Sequence, residues 1–380
     1  MPAGARLRRA ILKLEVYTNI NMSKKNLKIL VISNLFPSKR CPFHGSFVKN
    51  FVDDLTTYNG KENTSYCVLK GRSYKLYEKL YHYFIFYIKI FYYLIFNNYD
   101  YIYVHLITHA SLPIKIVSYF KKMNLIFNIH GEDLLVKTKL AALLLNLVKP
   151  LLYKASLIVV PSYYFKKRTI ELLPSIAKEK IYVSASSGVK ESFYNFLINK
   201  RRNNIIGYVS RIDRGKGWDT LLKAIKILSD SNINIAVEIA GGGSEVNNML
   251  DLIKELNLKN IKYVGPIGHD MLPNFYKQLD IFVFPTKLEE SLGLVGLEAM
   301  ASGVPVIASK IGGIQDYLVN KSNGLYFNYG DEKDLAKKIL YLLKISDNDY
   351  NDMCNKAYEK SLEYKASIVN KKLFDYIFNL

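Results

Sequence analysis

The sequence predicts an α/β chain of two doubly wound, Rossmann-like parallel-sheet domains facing across a cleft. Three observations carry that expectation. At 380 residues the chain exceeds one ordinary core and suits two domains. Short β-branched runs alternate with segments of helical period, which is the pattern of a parallel sheet with helices on both faces. The alternation breaks once, at the polar, basic stretch "YNFLINKRRNN" (194–204), and then restarts.

In the first half "LKILVISNLF" (27–36), "YDYIYVHLI" (99–107), "NLIFNIHG" (124–131) and "SLIVVPS" (156–162) read as buried strands. Crossover helices are expected over "GSFVKNFVDDLTTY", the tyrosine-rich segment 75–97, "LPIKIVSYFKK" and "KLAALLLNLVKPLLYKA". In the second half the alternation runs "NIIGYVS", a helix after Gly217, "INIAVEIAG", "EVNNMLDLIKELNL", "IKYVGPI", "DIFVFPT", "GLVGLEAMASG", "VPVIAS". The expected domains are residues 22–195 and 196–363, with a C-terminal helix 364–380 returning to the first domain. That crossing makes the linker a hinge, with closure around a ligand as the expected motion. Residues 1–21 are expected to lie outside the fold, because Met22 opens a polar start followed directly by a strand.

Composition excludes several classes. Hydrophobic residues at 49% and charged residues at 23% describe a folded chain. Cys41, Cys67 and Cys354 are odd in number and far apart, which argues against a disulfide framework or a zinc site and for a reducing cytoplasm. Lys89 interrupts one apolar run and Lys149 with Pro150 another, so neither is expected to span a membrane. The net charge of +20 invites a nucleic-acid reading, but no recognition motif supports it and no nucleic-acid partner is expected.

The charge is one-sided. Residues 1–200 hold 30 Lys+Arg against 11 Asp+Glu, whereas residues 201–380 hold 23 against 22. The basic half also carries "KLYEKLYHYFIFYIKIFYYLIF", whose apolar width exceeds one helix face. Two readings stand: a buried crossover helix, or a helix at the headgroup boundary of an anionic membrane.

The chemistry concentrates in two stretches. In "RIDRGKGWDTLLKAIKIL" (211–228), Arg211 and Lys216 sit in a glycine-rich turn between a strand and a helix, a cradle suited to phosphate, although a solvated basic turn has the same composition. It matches neither the P-loop nor the dinucleotide fingerprint. In "EESLGLVGLEAMASG", Glu290 precedes a helix start near Gly293 or Leu294 and Glu298 lies about one turn inside it, where a carboxylate grips a vicinal diol. Singly, such a pair also reads as the helix-start preference for acids.

Together these residues resemble the family 4 glycosyltransferases of the GT-B fold, which move a sugar from a nucleotide diphosphate sugar to an acceptor hydroxyl with retention. "GYVSRIDRGKGWDTLLKA" is similar to the family's Arg/Lys loop, "IAGGGSE" to its glycine-rich turn and "VGPIGHDMLPNFYKQLDIFVFPT" to its base-binding strand. "EESLGLVGLEAMASGVPVIASKIGGIQDYL" resembles its Glu-x7-Glu signature. The likeness covers residue 27 to the C-terminus and is densest over 205–316.

What it implies is specific. Arg211 and Lys216 would bind the donor diphosphate and stabilise its charge as the glycosidic bond breaks. Glu298 would hold the ribose and Glu290 would lie by the donor sugar. Ile267 would lie in the base-binding segment, and the amides of Ser291, Leu292, Gly293, Leu294 and Val295 would hold sugar hydroxyls and phosphate oxygens. Ser291 and Leu292 stand where the family more often has Gly-Phe, so donor identity does not carry over. In the first domain Gly45 is the small residue at a strand-to-helix turn, or a glycine that merely makes the turn; His130 of "NIHGEDL" matches the family histidine near the donor sugar.

No cofactor and no metal are expected, since no Asp-x-Asp pair stands at a strand end and the resemblance implies none; the donor expected is a UDP- or GDP-linked sugar. The expected acceptor is a lipid-linked saccharide or polysaccharide, in surface polysaccharide or lipopolysaccharide assembly, at the inner face of the cytoplasmic membrane. Other classes sharing the fold are a scaffold without catalysis, an epimerase and a phosphorylase.

Overall fold

The structure, a computed structural model, describes residues 26–39, 41, 44–71, 75–131, 133, 134, 139–194 and 202–380. The expected extension 1–21, and residues 195–201 of the expected linker, lie outside the described residues. The chain divides into two compact units. One comprises the described residues of 21–188 and 369–380, the other those of 189–368. The dividing line falls at Gly188/Val189, seven residues ahead of the expected boundary, and the return to the first unit begins at Val369 rather than at 364.

The unit holding Gly45 and His130, here the basic unit, is built on six parallel strands in the order β2-β1-β3-β4-β5-β6. They are β1 (Ile29–Phe36), β2 (Thr64–Lys70), β3 (Tyr101–His105), β4 (Leu125–Asn128), β5 (Leu157–Val160) and β6 (Ile181–Val183). Between them run α1 (Ser46–Asn59), α2 (Leu76–Phe96), α3 (Ser111–Val117), α4 (Lys139–Lys154) and α5 (Tyr163–Leu172). Strand periodicity sorts the core into two layers: Leu30 and Ile32 pack with Phe86, Ile90 and Leu94 of α2, while Ile29 and Val31 pack with Val48, Phe51 and Leu55 of α1. The C-terminal helix closes the second layer, with Phe374 edge-on to Phe51 at 5.5 Å and Tyr376 against Tyr182 at 4.5 Å.

The other unit, the balanced unit, holds a second six-stranded parallel sheet in the order β12-β11-β10-β7-β8-β9. Its strands are β7 (Ile205–Val209), β8 (Ala236–Ala240), β9 (Ile261–Gly265), β10 (Ile281–Phe284), β11 (Val306–Ser309) and β12 (Gly324–Phe327). The helices are α6 (Trp218–Asp230), α7 (Val246–Glu255), α8 (Leu272–Gln278), α9 (Leu294–Ala301), α10 (Glu332–Lys344) and α11 (Asp347–Leu362); the last helix, α12 (Ala366–Phe378), begins here and ends in the basic unit. Leu221, Leu222 and Ile225 of α6 and Leu335, Ile339 and Leu342 of α10 bury the sheet face of Ile206 and Tyr208.

Candidate functional site

Strand β7 ends at Val209, and the turn that follows is shaped by two left-handed glycines. Gly217, at the start of α6, has φ of 77°, and a Cβ there would lie 1.8 Å from the carbonyl oxygen of Pro285. Only glycine lets this turn sit so close to the loop after β10. The amide of Lys287 donates to the carbonyl of Gly215 at 2.8 Å, tying the two loops together.

That contact brings Lys216 to Glu290. The ammonium Nζ lies 2.7 Å from Glu290 Oε1, with side chains only 13% and 17% exposed. Thr286 Oγ1 donates to the same carboxylate oxygen at 3.0 Å, and the Tyr208 hydroxyl donates to the Lys216 carbonyl at 3.2 Å. A charge pair this enclosed is held in one geometry rather than sampling solvent. Arg211 differs: its side chain is 65% exposed and its guanidinium stands 3.4 Å from Asp213. Asp213 is itself pinned. The backbone amide of Ser244 donates to it at 2.9 Å and, as the largest cause, holds its carboxyl below the usual range.

Helix α9 opens on the other side of Glu290. Gly293 precedes it in the left-handed conformation, and the Tyr317 hydroxyl donates to the Gly293 carbonyl at 2.9 Å. Gly313 N donates to the Glu290 carbonyl at 2.8 Å, so the loop carrying Glu290 and Ser291 is clamped from below. Leu292 is buried, while Ser291, Gly293, Leu294 and Val295 remain half-buried at the helix start. First-turn amides have no intrahelical acceptor and carry the positive end of the helix dipole.

Glu298, inside α9, is 5% exposed. Its Oε1 lies 2.9 Å from His269 Nε2, and its Oε2 accepts from the Tyr276 hydroxyl at 3.2 Å. Burial, then the neighbouring Glu298 charge, holds the Tyr276 phenol far above its ordinary range, so it stays a donor. Each carboxylate oxygen keeps a second lone pair for a ligand hydroxyl. Ile267, half-buried, precedes His269 by two residues, and the His269 ring packs on Phe193 at 5.2 Å. Sequence reasoning left His269 unassigned; its place just after Ile267 in "VGPIGHDM" was the available signal.

In the basic unit, Gly45 opens α1 at φ of 74°, and a Cβ would lie 2.5 Å from the Leu35 carbonyl carbon, so the turn itself requires glycine. His130 follows β4. Its Nε2 lies 3.0 Å from Nδ1 of His105, at the end of β3, and its ring packs on Phe47 at 4.7 Å. Burial lowers His130 to about 4 and His105 well below its ordinary value, so both are neutral imidazoles near pH 7. Asp133 Oδ1 accepts from the amides of His130 and Gly131, both at 3.0 Å, fixing the turn; burial lifts its carboxyl to about 6. The sequence left His105 without a role, at a strand end expected to face the acceptor, and did not single out Asp133 as a site residue. Among the described residues no group of three or more His, Cys, Asp or Glu is placed to hold a metal ion.

Two lines of comparison bear on this geometry. The family profile "Glycosyl transferases group 1" matches residues 189–360, the stretch that carries Lys216, Glu290, Glu298 and His269. Residues 189–360 belong to the group 1 glycosyl transferases. The capsular polysaccharide biosynthesis glycosyltransferase CapM of Staphylococcus aureus is 35% identical over 178 residues, covering 47% of this chain and 45% of CapM. A D-inositol 3-phosphate glycosyltransferase of Corynebacterium jeikeium is 34% identical over 143 residues, covering 36% of this chain and 34% of its own length. The chain thus spans less than half the length of these two relatives.

Solved structures agree on the fold. The Anabaena protein HepE, solved with UDP and glucose, superposes with a TM-score of 0.72 at 18% identity, over 93% of this chain and all of HepE. The sucrose-phosphate synthase of Thermosynechococcus elongatus gives 0.73 at 19% identity, over 92% and 99%. The fold of the described residues is therefore α/β of GT-B type, with two six-stranded parallel sheets and flanking helices.

Proposed function

We propose that the chain is a glycosyltransferase that moves a sugar from a nucleoside diphosphate sugar to a saccharide acceptor, with retention and without a metal ion. The observation that carries the reading is the enclosed Lys216–Glu290 pair at 2.7 Å, set beside the open first turn of α9, with buried Glu298 one turn further along that helix. In this reading Glu298, oriented by His269 and Tyr276, grips the ribose diol. Lys216 and the α9 amides hold the diphosphate and stabilise the charge that grows on it as the bond from the anomeric carbon to phosphate oxygen breaks. Such preorganised donors typically contribute about 3 kcal/mol each to lowering a barrier.

Glu290, whose Oε1 is taken by Lys216 and Thr286, offers Oε2 to a sugar hydroxyl. His130 is neutral, so its role is a hydrogen bond to the donor sugar rather than a charge. Retention puts the acceptor oxygen on the face the diphosphate leaves. The bond to the acceptor oxygen forms as the phosphate bond breaks, and the acceptor proton passes to the departing diphosphate. Arg211, whose side chain is 65% exposed beside Asp213, is the residue expected to close onto the diphosphate.

HepE, with UDP and glucose bound, supports a UDP-linked donor, and CapM, named for capsular polysaccharide biosynthesis, supports a surface-glycan acceptor; an acceptor carried on a lipid at the inner face of the cytoplasmic membrane is the proposal's own extension. Incubation with UDP- and GDP-sugars and a detergent-dispersed lipid-linked saccharide tests this, with products read by NMR. The expected result is an α-linked product from an α-linked donor, undiminished in excess EDTA. Inverted product, or activity lost on chelation and restored by magnesium, overturns the corresponding part.

A further inference from the structure

Helix α2 has two apolar faces. Phe86, Ile90 and Leu94 point into the core and are fully enclosed. On the opposite side Tyr77, Leu80, Phe84, Ile88, Tyr92 and Ile95 recur at helical spacing and are each between 43% and 65% exposed. At 1.5 Å per residue the stripe runs the length of a helix of about 31 Å. A monomeric soluble surface seldom leaves so long an apolar stripe uncovered. Near the C-terminal end of α2 lies a cavity of about 530 Å³ lined by Lys115, Lys121, Lys122 and Lys154 together with Tyr119 and Phe120. Lys121 caps α2, donating to the carbonyls of Leu94 and Asn97 at 2.7 Å each. Tyr119 is 77% exposed and Phe120 65%.

The cavity sits where strands begin, beside Leu125 of β4 and Ser156 before β5, whereas His130 follows the other end of β4. It is not part of the site described above. From residue 75 to 131 the chain has six lysines and only two carboxylates, Glu78 and Asp100. Asp100 accepts from the Lys28 amide at 2.7 Å, and no described lysine of this stretch forms an ion pair with a carboxylate. A second copy of this chain is a poor occupant, because a shared face would set these lysines against each other with nothing to neutralise them.

We infer that this face docks on an anionic bilayer, with the outer side of α2 and the rim of Tyr119 and Phe120 lying in the headgroup boundary and the lysine cavity taking a lipid phosphate. Aromatic and apolar side chains flanked by lysines are the composition that holds a helix in that layer. The inference deepens the proposed function, since it names how a chain acting on a lipid-carried acceptor meets its membrane, and it rests on that reading only for the acceptor.

The test is flotation of the full chain with vesicles of phosphatidylcholine alone or with one-third phosphatidylglycerol, for the wild type, Lys122→Glu/Lys154→Glu and Phe84→Ser/Ile88→Ser. All four positions are exposed, so the folds survive, and circular dichroism checks them. The wild type should float only with phosphatidylglycerol vesicles, and each variant should bind them about tenfold more weakly or worse. Equal binding by the variants, or no binding by the wild type, overturns the docking face. Wild-type dimers in sedimentation that both variants abolish would assign the face to a second copy instead. Release from vesicles by millimolar inorganic phosphate would assign the cavity to free phosphate. Nucleoside diphosphate binding on the same samples separates the two readings: intact binding with failed flotation removes only the docking face, and flotation without nucleotide binding removes only the transferase.

Discussion

The two units share a fold and divide in how they use charge. In the balanced unit lysines are matched to carboxylates: Lys216 to Glu290, Lys262 to Glu238, Lys287 to Asp219 and Lys226 to Asp230. In the basic unit the lysines from residue 75 to 122 have no such partners among the described residues, and an apolar stripe lies between them. The difference teaches that positive charge serves two ends here. An enclosed cation beside a carboxylate is fixed in place, which suits the small anion of the proposed site. Unpaired surface lysines attract any extended anionic surface, with little geometric demand.

Substitutions break the comparison at its strongest points first. Phe86→Ala, on the enclosed side of α2, should cost about 3 to 5 kcal/mol of stability, while Phe84→Ala on the exposed side should stay within about 0.5 kcal/mol. Chemical denaturation monitored by circular dichroism reads both; equal costs would mean that the outer stripe is packed. In the balanced unit, Lys216→Ala should lower kcat on the order of 100- to 1,000-fold with a far smaller effect on donor KM. Steady-state kinetics would contradict the assignment if KM rose and kcat held.

A smaller effect sharpens the basic unit. His105 and His130 are held neutral below their unfolded value of 6.5, and Asp133 is held protonated up to about 6. Between about pH 6 and 4 unfolding therefore takes up two histidine protons and releases one carboxyl proton. Stability should fall with falling pH by about 1.4 kcal/mol per unit, from one net proton. Asp133→Asn removes the opposing term and should roughly double that slope. Denaturation curves across this range check the sign.

Much of this was legible in the sequence because both periodicity and loop chemistry are local. Strands β1, β3, β4 and β5 are continuous apolar runs and declared themselves, and "EESLGLVGLEAMASG" marked the start of α9. Strand β2, "TSYCVLK", did not, since this edge strand opens on two polar residues, closes on a lysine and leaves only a short apolar run between them; β6 is only three residues long. The partnership of His269 with Glu298 joins residues 29 positions apart, across helix α8 and strand β10. Nothing local announces it. The same holds for His105 and His130, which meet only because β3 and β4 are paired in register. The apolar width of α2 was visible, but which side the core covers is a tertiary fact.

The central claim is that the turn before α6 and the start of α9 hold a nucleoside diphosphate, and calorimetry with UDP and GDP tests it most directly. The account predicts one-to-one binding of one of them, weakened by about 1.5 to 3 kcal/mol in Glu298→Ala, the worth of charge-assisted hydrogen bonds to the ribose. Binding of the same nucleotide with unchanged affinity in that variant would contradict it.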